Sequence, residues 1–180
     1  MKVLKNSMRT LVFAAASCIA GSVLAENLPV AADSTTSHGS LETSPAALAR
    51  FVSEQPSKLA IVLVSTPGCG FCRLVRQQQL APLSHDPDYQ DVRVFEIQMH
   101  DTTAFVPVIE RFKPLAATNL TSISSPAALS QKLAISMAPT VLFIGGSQEL
   151  SERLVGYASP DFYWAYLAER IDQSRQVLKN

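Results

Sequence analysis

The apolar run Leu59–Val64 (LAIVLV) is the feature that most constrains the fold of this chain. A continuous apolar run of this length, followed by the turn residues Ser-Thr-Pro-Gly at 65–68, is typical of a strand buried on both faces. The next stretch, Arg73–Leu80, contains no helix breaker and predicts a helix that Pro82 ends or kinks. Such a strand requires a sheet with helices on both sides.

The other elements are predicted from hydrophobic periodicity and turn signals. Helices between strands imply parallel pairs with crossovers, so we expect an α/β domain with a small central mixed sheet flanked by helices. The predicted elements are a helix from Ser44-Pro45, a strand Val92–Gln98, a helix Thr102–Phe112, turns over Lys113–Ser124, a helix from Ser125-Pro126, a strand Thr140–Ile144, a Gly145-Gly146 turn with an antiparallel partner in Arg153–Gly156, and a helix from Ser159-Pro160 with Tyr163, Tyr166, Leu167, Ile171 and Ser174 at helical spacing.

The first 25 residues have the layout of a secretory signal peptide. Three basic residues (Lys2, Lys5 and Arg9) precede the apolar run Leu11–Ala20, which is too short to span a bilayer as a helix. The small residues of Val23-Leu24-Ala25 then provide a cleavage site. We therefore predict a signal peptide at 1–25, a flexible polar leader at 26–43 and one folded domain at 44–180.

Length and charge limit the function classes. A chain of 180 residues suits one domain, and its 15 basic residues balance its 15 acidic ones. Removal of residues 1–25 takes away three basic residues and no acidic one, which leaves a slightly acidic mature chain. This gives no electrostatic footprint for nucleic acid. We also expect no transmembrane segment in the mature chain.

The cysteines are the most informative residues for function. Cys18 leaves with the signal peptide, so the exported chain keeps only Cys69 and Cys72. A structural disulfide stabilises most when it closes a long loop, and a bridge across two residues gives little of that. A pair this close suits a bond that is repeatedly made and broken.

The Cys69-Gly-Phe-Cys72 segment lies where a buried strand ends and a helix begins. Free amide groups and the helix dipole at such a point favour a thiolate at Cys69, and the thiolate is the nucleophile of disulfide exchange. Cys72, one turn on and more buried, can resolve a mixed disulfide. Gly70 leaves space beside the attacking sulfur, and Phe71 adds apolar surface that a partner can contact.

Other uses of a CxxC pair fit less well. Zinc usually needs four ligands, and His38, His85 and His100 are scattered along the chain. Covalent haem attachment requires His after the second cysteine, where Arg73 stands. A short structural disulfide and a Cu(I)-carrying dithiol stay open, although Met99 and Met137 are isolated in sequence. We predict no metal and no cofactor.

The segment TPGCGFC between strand and helix, together with Met137-Ala138-Pro139-Thr140 before a strand, resembles the thioredoxin superfamily. The resemblance covers about Leu59–Asp172. It implies a three-layer fold in which Pro139 follows a cis peptide bond and faces the CxxC, while the backbone at Ala138 pairs with an extended substrate peptide. The stretch between Cys72 and Pro139 is longer than this fold requires, which predicts an inserted helix around Lys113–Ser136.

The subgroup resemblance and one departure bear on the chemistry. The tail ERLVGYASPDFYWAYLAERI is similar to that of periplasmic thioredoxins associated with sulfur-oxidation operons, the SoxW-like group, which are regarded as reductants. Six residues before Cys69, where classical thioredoxins have a buried acid, stands Leu63. Glu96 or Asp101 could supply the missing carboxylate, although a solvated surface position is the simpler expectation for both.

These observations predict a periplasmic thiol–disulfide oxidoreductase that acts through Cys69 and Cys72, with a substrate site formed by Gly70, Phe71, Ala138 and Pro139. Its expected partners are cysteine-containing exported proteins and a membrane electron donor or acceptor. The favoured direction is reduction. A dithiol oxidase of the same fold, and a non-catalytic thioredoxin-like binding module, are the alternatives; a disulfide isomerase would usually carry a separate dimerisation domain.

Overall fold

The computed structural model describes residues 41–116 and 119–180, in which helical segments separate single strands or groups of strands. The helices are α1 (Pro45–Glu54), α2 (Gly70–Leu74), α3 (Ala81–Leu83), α4 (Pro126–Lys132) and α5 (Pro160–Lys179). The strands are β1 (Leu59–Ser65), β2 (Val92–Gln98), β3 (Ile109–Phe112), β4 (Thr121–Ile123), β5 (Thr140–Gly145), β6 (Gln148–Glu149) and β7 (Leu154–Val155). The predicted signal peptide and residues 26–40 of the predicted leader lie outside the described residues.

The central sheet is built on β1, every residue of which is buried, as its apolar sequence predicts. β1 runs parallel to β2, with partners from Leu59 and Val92 to Ser65 and Gln98. On its other side it runs antiparallel to β5, and the short strands β6 and β7 both pair with the outer edge of β5. The predicted mixed sheet is confirmed.

Alternate residues of the sheet enter two separate apolar clusters, which makes the fold three-layered. Ala60, Val62 and Val64 pack in the cluster that includes residues of α1, α4 and the β3–β4 pair. The other set of β1 side chains, at 59, 61 and 63, packs with the helical segment that follows Cys69 and with α5. This period-two division follows from the pleat of a strand.

Two of the three predicted serine caps make side-chain bonds at helix starts. The Oγ of Ser44 accepts from the amide of Ala47 at 3.2 Å, and the Oγ of Ser125 accepts from the amide of Ala128 at 3.1 Å. Helix α5 begins at Pro160 as predicted, without a side-chain bond from Ser159. All five residues named from the sequence lie in α5; Tyr163, Leu167, Ile171 and Ser174 are buried, whereas Tyr166 is exposed.

The helical segment after the dithiol is longer than predicted. It begins at Gly70, widens into a π-helical turn over Val75–Leu80, and continues through Pro82 to Leu83. In the wide turn the amide of Ala81 bonds the carbonyl of Arg76, five residues back. Pro82 therefore sits in the last turn, one residue before the end, rather than ending the helix itself.

The predicted helix Thr102–Phe112 is wrong. Ile109–Phe112 forms strand β3, which pairs antiparallel with β4 to make a separate two-stranded sheet. Pro107 lacks a backbone donor and disfavours helical backbone at Val106, which disfavours a helix through this point. The bond between these two residues is cis.

The segment between β2 and β5 also differs from the single inserted helix that we predicted around Lys113–Ser136. Within it only α4 is helical, and the extra length is largely the β3–β4 hairpin. Strand β6 was not predicted, although β7 falls inside the predicted return Arg153–Gly156. At the edge of β2 away from β1, the main-chain carbonyl of Glu42 accepts from the amide of Glu96 at 2.9 Å, so the last residues of the predicted leader contact β2. None of the helices in the described part of the chain is long and apolar enough to cross a membrane.

Candidate functional site

The two cysteines lie at the junction of β1 with the helical segment, as predicted, and form a disulfide with a Cα–Cα distance of 5.3 Å. The turn that leads to them needs Gly68, whose φ of +75° is a left-handed conformation that favours glycine. After this turn the amide of Cys69 bonds the carbonyl of Thr66 at 3.3 Å. The turn at Gly68 thus places Cys69 directly at the start of α2.

Cys69 is the N-cap of the helix. Its backbone is extended (φ −70°, ψ 104°), and its Sγ accepts a hydrogen bond from the amide of Cys72 at 3.1 Å. Amide donors at a helix start stabilise negative charge, so this position favours the thiolate once the disulfide is reduced. Cys69 is partly exposed, while Cys72 is only 1% exposed. The predicted difference in accessibility is confirmed.

Pro139 lies at the same end of the sheet as the dithiol. β1 and β5 are antiparallel, and Val64 lies opposite Thr140. The residues that follow β1 and the residues that precede β5 therefore lie at the same end of the sheet. The carbonyl of Pro139 accepts from the amide of Gly156 at 2.8 Å, which ties the Pro139 turn to the residue after β7. The peptide bond between Ala138 and Pro139 is cis.

Apolar side chains are exposed on both sides of this sheet end. Phe71 is 59% exposed and its ring centroid lies 6.2 Å from that of Tyr157, which therefore brings the loop after β7 to the dithiol. Met137 and Val155 are also exposed. Tyr157 was missed by the sequence analysis, because only the tertiary contact places it beside the motif.

A second aromatic contact connects the loop after β7 with the core. The rings of Tyr157 and Tyr163 are 5.2 Å apart, and Tyr163 is buried at the start of α5. Burial, with a smaller contribution from Tyr157, raises the pKa of Tyr163 far above its usual value. The hydroxyl of Tyr163 is therefore harder to ionise than that of an exposed tyrosine.

Glu96 corrects the sequence analysis, because it is buried rather than solvated. Its carboxylate accepts from the Oγ of Ser65 at 2.6 Å and from the Nε and Nη2 of Arg76. The hydrogen bond with Glu96 raises the pKa of Arg76, so the guanidinium is always charged. By register Glu96 lies beside Leu63 on the neighbouring strand.

Asp101 behaves as an ordinary turn residue. Its Oδ1 accepts from the amide of Thr103 at 2.8 Å. The side chain of Thr103 and, to a smaller extent, this amide lower the pKa of the Asp101 carboxyl by hydrogen bonding. Its main-chain carbonyl accepts from the amide of Ala127 at 2.8 Å, which fixes the start of α4. Within residues 41–116 and 119–180, no group of three or more His, Cys, Asp and Glu side chains could hold a metal ion.

Comparison with known proteins places the fold. Residues 46–171 match the family model described as a thioredoxin-like domain. Solved structures similar to the chain include thioredoxin f from spinach chloroplast (16% identity, TM-score 0.50, covering 75% of this chain and 85% of that one). Others are the periplasmic thioredoxin SoxS from Paracoccus pantotrophus (25%, 0.42, 65% and 99%) and Trxlp from Edwardsiella tarda EIB202 (22%, 0.47, 71% and 98%). No curated protein shows a significant match.

Proposed function

Because the chain belongs to the thioredoxin-like domain family, we propose that it is an exported thiol–disulfide oxidoreductase that reduces disulfides in other exported proteins. The observation that carries this proposal is the unequal pair: a partly exposed Cys69 at a helix start, bonded to a buried Cys72. One sulfur is reachable by a substrate, and the other is reachable only from the first.

The reaction follows from this arrangement. In the reduced protein, the Cys69 thiolate attacks one sulfur of a substrate disulfide, and the other substrate sulfur leaves as a thiolate. Cys72, deprotonated, then attacks the Cys69 sulfur, forms the intramolecular disulfide and releases the second substrate thiol. Two electrons pass from the protein to its substrate.

The substrate site is formed by the residues that flank the dithiol and the Pro139 turn. Gly70 carries no side chain, and a Cβ there would meet nothing within 4 Å, so the approach to Cys69 is open. Phe71 supplies exposed apolar surface. The backbone at Ala138, before Pro139, is positioned to pair with an extended peptide as an added strand.

The compartment and the electron source follow from the sequence and the redox balance. The signal-peptide pattern at residues 1–25 supports export to the periplasm. After each turnover the Cys69–Cys72 disulfide needs two electrons, and a membrane dithiol protein is the donor class that this location implies. The resemblance to SoxW-like thioredoxins supports reduction over oxidation.

A disulfide-reduction assay on insulin tests the activity. Wild type with a chemical dithiol reductant should reduce insulin, and Cys69→Ser should abolish the protein's contribution because no reachable nucleophile remains. Cys72→Ser should accumulate a mixed disulfide with the substrate, detected as a reductant-sensitive mass adduct. In the uncleaved chain, Cys18→Ser is the matched cysteine control and should leave the rate unchanged, because Cys18 lies in the segment that we expect to be removed on export.

Two outcomes would contradict the proposal. A Cys69→Ser variant as active as wild type would remove Cys69 from the mechanism. A Cys72→Ser variant that never traps substrate would remove the exchange step. The direction is tested by equilibration with glutathione: a potential near that of thioredoxin, about −270 mV, supports a reductant, whereas a value near about −120 mV indicates an oxidase.

A further inference from the structure

Glu96 is a buried carboxylate with three side-chain donors. Its side chain is 5% exposed, and it accepts one bond from Ser65 and two from Arg76. The Nε2 of Gln98 in turn donates to the Oγ of Ser65 at 2.9 Å, which orients the hydroxyl hydrogen toward Glu96. These three hydrogen bonds therefore hold the Glu96 carboxylate in one orientation.

The donors come from the two sides of the dithiol motif. Ser65 is the last residue of β1, four residues before Cys69. Arg76 stands four residues after Cys72, one helical turn further along. A single carboxylate on β2 thus connects the strand that enters the Cys-Gly-Phe-Cys turn with the helix that leaves it.

Stability alone does not account for such a contact. Burial of a carboxylate such as that of Glu96 costs desolvation energy that its ion pair often only offsets, and apolar residues of similar volume frequently replace buried ion pairs without loss. Leu63, the register partner of Glu96, shows that apolar side chains fit this part of the sheet. Unlike apolar packing, the pair fixes the relative orientation of the two side chains, because two parallel hydrogen bonds set both the distance and the angle between guanidinium and carboxylate.

We propose that Glu96 is a positioning residue for the dithiol: through Ser65 and Arg76 it holds the strand end and the helix start in one geometry when the disulfide is open, and so keeps the Cys69 sulfur at the Cys72 amide. In the oxidised protein the disulfide itself holds the two cysteines together. In the reduced protein that covalent link is gone, and the carboxylate contact takes over the constraint. The inference rests on the proposed function only in taking Cys69 as the reactive sulfur.

The test measures alkylation of the reduced full-length chain by iodoacetamide as a function of pH, in the isosteric variants Glu96→Gln and Arg76→Gln. Cys69→Ser provides the background from the other cysteines. Both variants loosen the same contact, so both should raise the apparent pKa of Cys69. A rise of about half a unit would slow alkylation about threefold at a pH below the pKa.

The two variants also separate positioning from charge. Glu96→Gln leaves Arg76 as an unpaired cation, which by charge alone would favour the thiolate, whereas Arg76→Gln leaves an unpaired anion, which would disfavour it. Shifts of opposite sign would therefore overturn positioning in favour of a direct electrostatic effect. Unchanged profiles in both variants would overturn it as well.

Glu149 and Arg153 provide the matched control, because they form the other ion pair among the described residues in which a buried carboxylate meets a partly exposed arginine. The Glu149 side chain is 1% exposed and accepts from Arg153 at 3.0 Å, but β6 places it beside Ile144, at the end of β5 opposite Thr140. Glu149→Gln should lower stability and leave the alkylation profile unchanged. An equal shift in Glu149→Gln would assign the effect to general loosening and contradict the inference.

The outcome is separable from that of the proposed function. Alkylation needs no substrate disulfide, so the profile reports the geometry of the dithiol even in a protein that never reduces insulin. A chain that fails the insulin assay but shows the paired shift would refute the proposed activity and retain the positioning role. A chain that reduces insulin but shows no shift of the alkylation profile in either variant would retain the proposed activity and refute the positioning role.

Discussion

Two glycines beside the dithiol differ in backbone conformation alone. A Cβ at either Gly68 or Gly70 would meet no atom within 4 Å, but only Gly68 has a positive φ, of +75°. Gly68→Ala should therefore destabilise the fold by about 1 kcal/mol through backbone strain. Gly70→Ala should be neutral or stabilise by up to about 1 kcal/mol, since alanine is the better helix former.

Urea unfolding of the oxidised proteins measures this difference. The insulin assay adds an independent readout, because Gly70→Ala places a methyl group beside the attacking sulfur and should slow the reduction of a protein substrate despite the gain in stability. Equal stabilities for the two variants would show that the left-handed turn at Gly68 is not a constraint on this loop.

Glu96 shows what the sequence could and could not reveal at this scale. The alternation of β2 puts Glu96 on the same face as Val92 and Val94, which are buried, so the period-two pattern already pointed inward. We expected a solvated position because glutamate is almost never buried unless paired. Its partner Arg76 could not be identified, since that contact depends on how the helix packs on the sheet.

At the scale of elements, the β3–β4 hairpin was hidden by a bulge. Ile109 and Phe112 are three apart, which resembles the spacing of a helix, and a regular strand would place them on opposite faces. Arg111 has a φ of +55° and the register shifts between these two residues, so both side chains reach the same core. A bulge of this kind has no clear signal in a single sequence.

The hairpin is part of the core rather than an appended loop, and Phe112 tests this. Its side chain is fully buried in the cluster beneath α1, so Phe112→Ala should lower the free energy of unfolding by about 3–5 kcal/mol. The measurement is a urea titration followed by circular dichroism. Leu115, exposed just beyond β3, gives the control, and Leu115→Ala should change stability by less than about 0.5 kcal/mol.

A cost below about 1 kcal/mol for Phe112→Ala would mean that the hairpin can detach without loss of the domain. A large cost would explain why the segment persists although the minimal fold does not require it. In that case the hairpin covers a sheet face that the short α4 leaves open.

At the scale of the whole molecule, the elements that touch the dithiol were the most predictable. β1 and β5 each carry an unbroken apolar run, and the turn residues Ser-Thr-Pro-Gly separate β1 from the helical stretch without a breaker that follows the cysteines. Local sequence determines such features. The less predictable parts were the β3–β4 hairpin, β6 and the partner of Glu96, all of which depend on contacts between residues distant in sequence. The residues of the candidate site could therefore be identified from the sequence, whereas the contact between Glu96 and Arg76 beside them could not.

The last helix is tied to the start of β2 by a charge contact that makes stability depend on pH. Arg175 of α5 donates to both carboxylate oxygens of Asp91, at 2.7 and 2.8 Å, and to the carbonyl of Asp88 at 2.8 Å. The bond from Arg175 lowers the pKa of Asp91 in the folded protein. A lowered folded-state pKa gives a stabilisation that is complete above the unfolded pKa, about 3.9, and is lost as the pH falls through the folded value.

Asp91→Asn should accordingly be less stable than wild type at pH 7, and the difference should shrink as the pH falls below about 3.9. Because the Asp91 side chain is 50% exposed, water and salt screen the pair, and we expect at most about 1 kcal/mol at pH 7 and less in high salt. Urea unfolding at several pH values measures this difference.

Glu110→Gln provides the control. It removes an exposed carboxylate of β3 for which the described residues provide no hydrogen bond, and should show no such pH-dependent difference. A gap between Asp91→Asn and wild type that does not shrink as the pH falls below about 3.9 would mean that Asp91 acts through packing rather than charge.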